Sequence, residues 1–482
     1  MPLPTNTLPR SAPSIGTSVF PSGTSSLSAT IFSPGAIVFS GKARFLTARV
    51  TKRTTSRASR ILKALALFLL AHSLHAQPVK LTLAEAEAIA IKNNPNVSLS
   101  LLNAAVANQI TFEIRAAYSP TLNAGITGAG SLPGTNVTAF TLNNSSVLDR
   151  FASGLAVSQL ITDFGRTANL AATARLRASA SDTLAKATRS DVLLQVDQAY
   201  FGSLRATSVL TVATETVKAR QLVVDQVTAL AQVNLKSGLD VSFAQVNLSD
   251  AKLLLLNAEN NLKSAYADLA AALGYRDRRD FELTDEPTPD KVAQDPQPFL
   301  TAALQLRPEI LASRTELEAS RKFIQAESDL KRPIVSGVAV AGVNPLHEHA
   351  LRGRYAAAGI NVTIPILNGH LFAARKTEAE LRSQAAEQSL HATENRIARD
   401  VQVAYLNATT AYQRMAVTAE LLTQATQALD LAQARYDLGL SSIVELSQTQ
   451  LNLTAAQIAS ATAKYEYGLQ RIVLDYHSGA TR

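Results

Sequence analysis

Apolar, small and polar residues follow two alternating patterns along this chain, and the whole succession occurs twice. From Leu81 to Ile91 the apolar spacing is helical, with Thr82 placed as N-cap and Glu85 as the far member of a capping box. Asn93-Asn94-Pro95 ends it, because proline disfavours helix at the residue before it. A second helix is predicted from Asn96 to Ala117, broken at Tyr118-Ser119-Pro120. Strand alternation follows: Leu122, Ala124 and Ile126 share one face, and Phe151 to Thr162 repeats the pattern. The Gly/Asn/Thr/Ser stretch from Leu132 to Arg150, uncharged before Asp149, reads as a surface loop. From Asp163 to Leu235 there is no proline, and the only glycines are Gly165 and Gly202. That predicts one helix on the order of 100 Å long at ~1.5 Å per residue.

The second half repeats the order. A short helix spans Pro298 to Leu306, and another follows Arg307-Pro308-Glu309. A strand runs from Pro333 to Val343, a loop from Asn344 to Gly353, and a strand from Arg354 to Ile366 before the second long helix. Gly238 and Gly439 read as turn glycines between long helices, with return helices from Val241 to Leu273 and from Ile443 to Tyr476. Matching landmarks lie 204 residues apart at Gly165 and Gly369, 205 at Tyr200 and Tyr405, and 201 at Gly238 and Gly439. This interval is far longer than the ~20–50 residues of a solenoid repeat, so it marks a duplicated half-domain. A 4-3-4-3 seam is expected through Val401, Tyr405, Ala408, Tyr412, Met415, Ala419 and Leu422. Val196, Tyr200, Ser203, Thr207, Leu210, Thr214 and Val217 form its first-half equivalent. Such a 3.5-residue period predicts coiled-coil packing, with small and hydroxyl residues suited to a wall wet on one face.

Composition narrows the class. With no Cys, disulfides, Cys-ligated metals, thiol catalysis and a lipidated N-terminal cysteine are excluded. The formal charge of +8 resides in residues 1–76, which hold nine Lys/Arg and no Asp or Glu. Removing those nine from the 46 basic residues leaves 37 against 38 acidic ones, a net of −1, so no basic face remains for nucleic acid. Arg57, Arg60 and Lys63 precede the apolar run Ala64 to Ala71 and the small-residue site Ser73-Leu74-His75-Ala76, the layout of a secretory signal. The run is shorter than the ~20 apolar residues of a membrane-spanning helix. The domain reading is an extension over 1–50 that cannot build a core, a signal peptide over 51–76 and a first repeat over 77–286. A Pro-rich linker over 287–298 and a second repeat over 299–482 complete it. Because a leader seldom starts so far in, translation is expected to begin near Val50.

Each half offers two strands of ~10–12 residues, and four strands cannot close a barrel that needs about eight. Strand edges must nevertheless be paired. Alternating Gly/Ala/Thr with aliphatics in a secreted chain suits a membrane barrel shared among several copies, with the long helices extending it as a tube. Four passages then resemble the TolC-type outer-membrane efflux protein family over residues 81–479. They are Leu83-Ala84-Glu85-Ala86 through Asn94-Pro95, Leu306-Arg307-Pro308-Glu309, Ile364-Pro365-Ile366-Leu367-Asn368-Gly369 (with Leu160 to Gly165), and Arg435-Tyr436-Asp437-Leu438-Gly439 with Ile443-Val444-Glu445. The resemblance implies a mainly α fold with a small β part: a homotrimer sharing a twelve-stranded transmembrane β-barrel and an α-barrel tunnel. It also implies an outer-membrane site in contact with lipid, a periplasmic adaptor, an inner-membrane RND or ABC pump, and no cofactor or catalysis.

The resemblance further carries a gate to the turn after Gly439. Glu445 takes its first acidic position, Gln448 its second, and Tyr436 its tyrosine. Ser441 replaces an arginine and Ala244 replaces the first-half aspartate, so the lock is expected to be built differently, with Asp240 or Asp437. Gly165, Pro365 and Gly369 mark the strand-to-helix junctions. His347-Glu348-His349 reads as a solvated loop with weak metal-binding capacity, and Tyr118, Phe151, Phe164 and Tyr355 as packing or an interfacial aromatic belt. A periplasmic adaptor would carry one hairpin flanked by β-rich halves, and a soluble scaffold would leave the strands unexplained. No phosphate loop or nucleophile constellation points to an enzyme.

Overall fold

The computed structural model describes residues 80–129, 136–137, 145–146, 150–277, 279–347 and 352–480. The expected extension and signal peptide lie outside these residues, as do most of the first strand-to-strand loop and Glu348 and His349. Chain order is β1 (Lys80–Leu81), α1 (Leu83–Asn93), α2 (Pro95–Arg115), β2 (Thr121–Ala129), β3 (Asn136–Val137), β4 (Ser145–Ser146), β5 (Arg150–Thr162), α3 (Arg166–Gln232) and α4 (Gly238–Ala272). The second half supplies β6 (Glu282–Leu283), α5 (Gln297–Leu306), α6 (Pro308–Ser328), β7 (Ile334–His347), β8 (Arg354–Thr363), α7 (Leu371–Asp437) and α8 (Ile443–His477).

The expected capping box starts α1. Thr82 Oγ1 accepts from Glu85 N at 3.3 Å, and Glu85 Oε2 accepts from Thr82 N at 3.0 Å. Asn94-Pro95 ends α1 and starts α2, as expected. The Asn94 side chain caps α2 through Asn96 N at 2.9 Å and donates to Ala272 O at 3.1 Å. Arg307-Pro308 makes the same turn before α6. Buried Arg307 donates to Tyr476 O at 2.9 Å and pairs with Glu309, which together explain the Arg-Pro-Glu run. The parallel β1–β6 pair, absent from the sequence reading, ties the start of the first repeat to its end.

The four long strands form one antiparallel sheet in the order β2-β5-β7-β8. Its two outer strands have no further partner among the described residues. Ile126 and Ile360 are 74% and 71% exposed, so the sheet carries apolar side chains on open ground. Tyr355 lies across the sheet where Gly154 and Gly342 leave room: a Cβ on Gly342 would stand 2.5 Å from its hydroxyl. β7 continues past the expected end at Val343 to His347, which pairs with Arg150. β8 ends at Thr363, three residues early, as Pro365 cannot donate to a ladder. No helix among the described residues is long and apolar enough to cross a membrane.

The duplication is stricter in space than in glycine spacing. α3 and α7 have 67 residues each, and α4 and α8 have 35 each. Both starts and both ends of each pair lie 205 positions apart. The unequal glycine intervals therefore mispaired two of the three landmarks, while Tyr200 and Tyr405 were matched correctly. Phe164 (φ 55°) corresponds to Gly369 (φ 57°), and Gly165 (φ 108°) to His370 (φ 66°). Asn234 (φ 59°), not Gly238, is the left-handed equivalent of Gly439 (φ 75°), and Gly238 is instead the first residue of α4.

α3 packs against α2, α4, α6 and α8, whereas α7 packs against α5, α6 and α8. Midway along α3, Val192, Val196, Tyr200, Phe201 and Leu204 join Leu81, Leu83, Leu269 and Leu273 in one core. Ala404, Ala408 and Ala411 join Tyr467 and Leu474 in its second-half equivalent. Lower down, the buried line slips one residue from the expected seam. It passes through Ala404, Ala411, Thr418, Ala425 and Ala432 in α7, and through Ala213, Arg220 and Val227 in α3. Spacing of seven keeps these residues on one supercoiled stripe.

Candidate functional site

The two helical turns lie side by side. In the first, Leu235 N donates to Leu230 O at 2.9 Å, closing α3 over Asn234. Asparagine tolerates this left-handed position better than most residues with a side chain. In the second, Leu440 N donates to Arg435 O at 2.8 Å around Gly439. Each return helix then starts from a serine N-cap, Ser237 or Ser442, with an acidic residue at the third helical position. Glu445 is thus matched by Asp240. Ala244, expected as its partner, is buried beside Val224 and Leu248.

The two carboxylates make different bonds. Asp240 Oδ2 accepts from Ser237 N at 2.9 Å and Ser237 Oγ at 2.8 Å, completing a capping box. Glu445 makes no reciprocal bond. Its N–H reaches Ser442 Oγ at 3.4 Å, while its carboxylate faces Arg435 at 3.8 Å. Asp437 accepts from Gln433 at 3.0 Å, and Gln448 donates to Asn452 at 3.1 Å, each one turn away on its own helix.

Tyr436 is the centre of the arrangement. It is 4% exposed and packs with Val227, Ile443 and Leu446. Lys236, from the other turn, places Nζ 3.6 Å from the centre of the Tyr436 ring and donates to its carbonyl at 3.3 Å. A second bridge joins the hairpins where Asn247 Nδ2 donates to Ser447 Oγ at 2.7 Å. The Tyr436 hydroxyl has no hydrogen-bond partner among the described residues. Burial, reinforced by the charges of Asp240 and Asp437, pushes it up to about 12.

Lys236 and Arg435 escaped the search for carboxylates. The signal for Lys236 lies in the 205-residue offset, which makes it the counterpart of Ser441. Lys236 thus brings a cation from the first turn to Tyr436 in the second. Around this polar centre Leu235, Leu239, Leu438, Leu440 and Val444 are exposed, forming an apolar rim.

At the other end, Asp163 accepts from Gly165 N at 3.2 Å and Thr167 N at 2.7 Å, fixing the start of α3. Arg332 donates to Phe164 O at 2.7 Å, and Asn169 donates to Asp329 at 2.9 Å, binding that start to the foot of β7. Pro365 and Gly369 shape the corresponding lead into α7. Among the described residues no group of three or more His, Asp or Glu side chains is placed to hold a metal ion.

A family model described as "Outer membrane efflux protein" matches residues 88–275 and 299–479. The outer membrane protein OprJ of Pseudomonas aeruginosa is 26% identical over 381 residues, spanning 77% of this chain and 78% of that protein. The outer membrane protein TolC of Vibrio cholerae is 24% identical over 359 residues, spanning 71% and 81%. A crystal structure of a membrane protein from Pseudomonas aeruginosa superposes with a TM-score of 0.72 at 23% identity, covering 82% of this chain and 93% of that one.

Proposed function

This chain belongs to the outer membrane efflux protein family, and we propose that three copies of it assemble into the exit duct of a tripartite export system. It is an outer-membrane efflux channel and not an enzyme. The finer reading rests chiefly on the sheet, whose four strands leave two unpaired edges beside exposed apolar side chains. Three copies would pair those edges in a twelve-stranded barrel, remove every open edge and turn the apolar face to lipid. The hairpins would continue the barrel into the periplasm as a tunnel. There they would meet an adaptor and, through it, an RND or ABC pump that supplies the energy. Residues 51–76 would serve as the secretory leader.

The paired turns are the proposed gate of that tunnel. The Lys236–Tyr436 contact and the Asn247–Ser447 bond hold the second hairpin to the first. In a trimer, Glu445 and Asp240 would each recur three times near the mouth, giving a negative field that favours cations. Purified protein in a planar bilayer tests this. Lys236→Ala is expected to raise open probability at least severalfold, and Glu445→Ala to reduce cation preference. Recovery of the protein as a soluble monomer would sink the duct, and unaltered gating in Lys236→Ala would remove the proposed lock.

A further inference from the structure

Where α3 meets α8, Phe201 rests on Gly468. A Cβ at position 468 would stand 2.6 Å from the ring, so a residue without a side chain sets this close approach. One residue further along, the wall thins. Gly202 has open space where a Cβ would project, and Ala206, Ala258 and Ala463 are too short to fill it. The result is a cavity of about 710 Å³ between α3, α4 and α8, with Arg414 of α7 on its margin. Ligand sites commonly have volumes of ~300–1,000 Å³.

Four charges line it. Arg205 and Glu466 face each other at 3.8 Å as a partly exposed ion pair. Arg414 and Asp268 remain, and neither side chain has a hydrogen bond or ion pair among the described residues. A guanidinium favours a carboxylate through paired N–H donors, and a free carboxylate favours an ammonium group. The amide of Asn261 and the hydroxyl of Ser264 lie on the same wall, suited to peptide groups.

We propose that this cavity binds a small zwitterion of the amino-acid or short-peptide class. Its carboxylate meets Arg414 and its ammonium group meets Asp268, while Asn261 and Ser264 hold the peptide groups between. The site lies along the hairpins, apart from the turns, and does not depend on the gate proposed there.

Isothermal titration of the detergent-purified full-length protein with trialanine tests the proposal. Saturable binding is expected, weakened at least tenfold when the peptide is N-acetylated or C-amidated. In Asp268→Asn the free and acetylated peptides should bind alike, and in Arg414→Gln the free and amidated peptides should bind alike. Gly202→Phe, which fills the space without touching a charge, should abolish binding. The absence of saturable binding to the wild type would overturn the proposal. So would equal binding of all three peptides to it, or discrimination that survives both charge substitutions. If Gly202→Phe fails to fold, as judged by its melting curve, the discrimination ratios decide the matter alone.

Discussion

The first hairpin, α3–α4, and the second, α7–α8, share lengths and a constant offset, yet equivalent positions carry different chemistry. Arg220 sits on the buried stripe of α3 where α7 has Ala425. Asp240 is spent on capping its own helix, whereas Glu445 turns to Arg435. Lys236 crosses to the partner turn, whereas the hydroxyl of its half-buried counterpart Ser441 has no hydrogen bond among the described residues. Backbone geometry was therefore held through the duplication, while side-chain charges were free to diverge. The first hairpin supplies the cation of the contact between the turns, and the second supplies the aromatic ring that receives it.

The buried stripe should give the largest contrast. Arg220 is 5% exposed with no ion-pair partner among the described residues, and burial lowers its guanidinium to about 10. An unpaired desolvated charge is costly, so Arg220→Leu should leave stability unchanged or raise it by ~1–4 kcal/mol. The reciprocal Ala425→Arg should lower it by at least ~3 kcal/mol. Denaturant midpoints read both, and equal effects at the two positions would erase the asymmetry.

Next come the equivalent tyrosines. The buried Tyr200 hydroxyl lies 2.9 Å from Leu81 O and 2.7 Å from Thr284 O, donating its one proton between them. Half-buried Tyr405 donates to Gln294 O at 2.6 Å. Tyr200→Phe should cost ~1–3 kcal/mol and Tyr405→Phe about 1 kcal/mol or less. Tyr436→Phe should be neutral or stabilising near pH 7, since its hydroxyl has no hydrogen bond among the described residues. Burial pushes both Tyr200 and Tyr436 up to about 12, above the ordinary 10. Their contribution is therefore intact below pH 10 and lost as pH rises through 12. Phenylalanine at either position should flatten the alkaline fall in melting temperature.

The turns come third. Gly439→Ala forces a side chain into φ 75° and should cost ~1–2 kcal/mol, whereas Asn234→Gly should be close to neutral. The smallest pair is at the caps: Asp240→Ala should cost ~1 kcal/mol, and Glu445→Gln, an exposed pair, about 0.5 kcal/mol or less.

These contrasts also mark what the amino-acid order discloses. Helices, strands and duplication are legible because periods of 3.5 and 2 persist over many residues. Along the seam the register of 205 was legible, but at the junctions and turns it was missed because glycine served as its marker. Left-handed geometry is carried by Phe164, Asn234 and His370 as well as by glycine, so counting glycines misaligned the halves. The Ser237–Asp240 capping box, itself a readable pattern, would have started α4 three residues earlier and paired Asp240 with Glu445. Lys236 was hidden for a different reason. Its partner lies 200 residues away, and no local pattern reports a contact between two turns.

The equal lengths of the paired helices also impose a construction tolerance. Between Gly165 and the return helices no residue has been gained or lost by one half relative to the other. Both turns consequently finish at one depth, as the Lys236 and Asn247 bridges require. Six such turns, two from each of three chains, would form a level rim. Adding a heptad to one hairpin alone would push its turn ~10 Å past its neighbour and notch that rim. A partner built to seat on a flat ring would then touch three points instead of six. Length, and not only sequence, would thus be a surface property of the proposed tube.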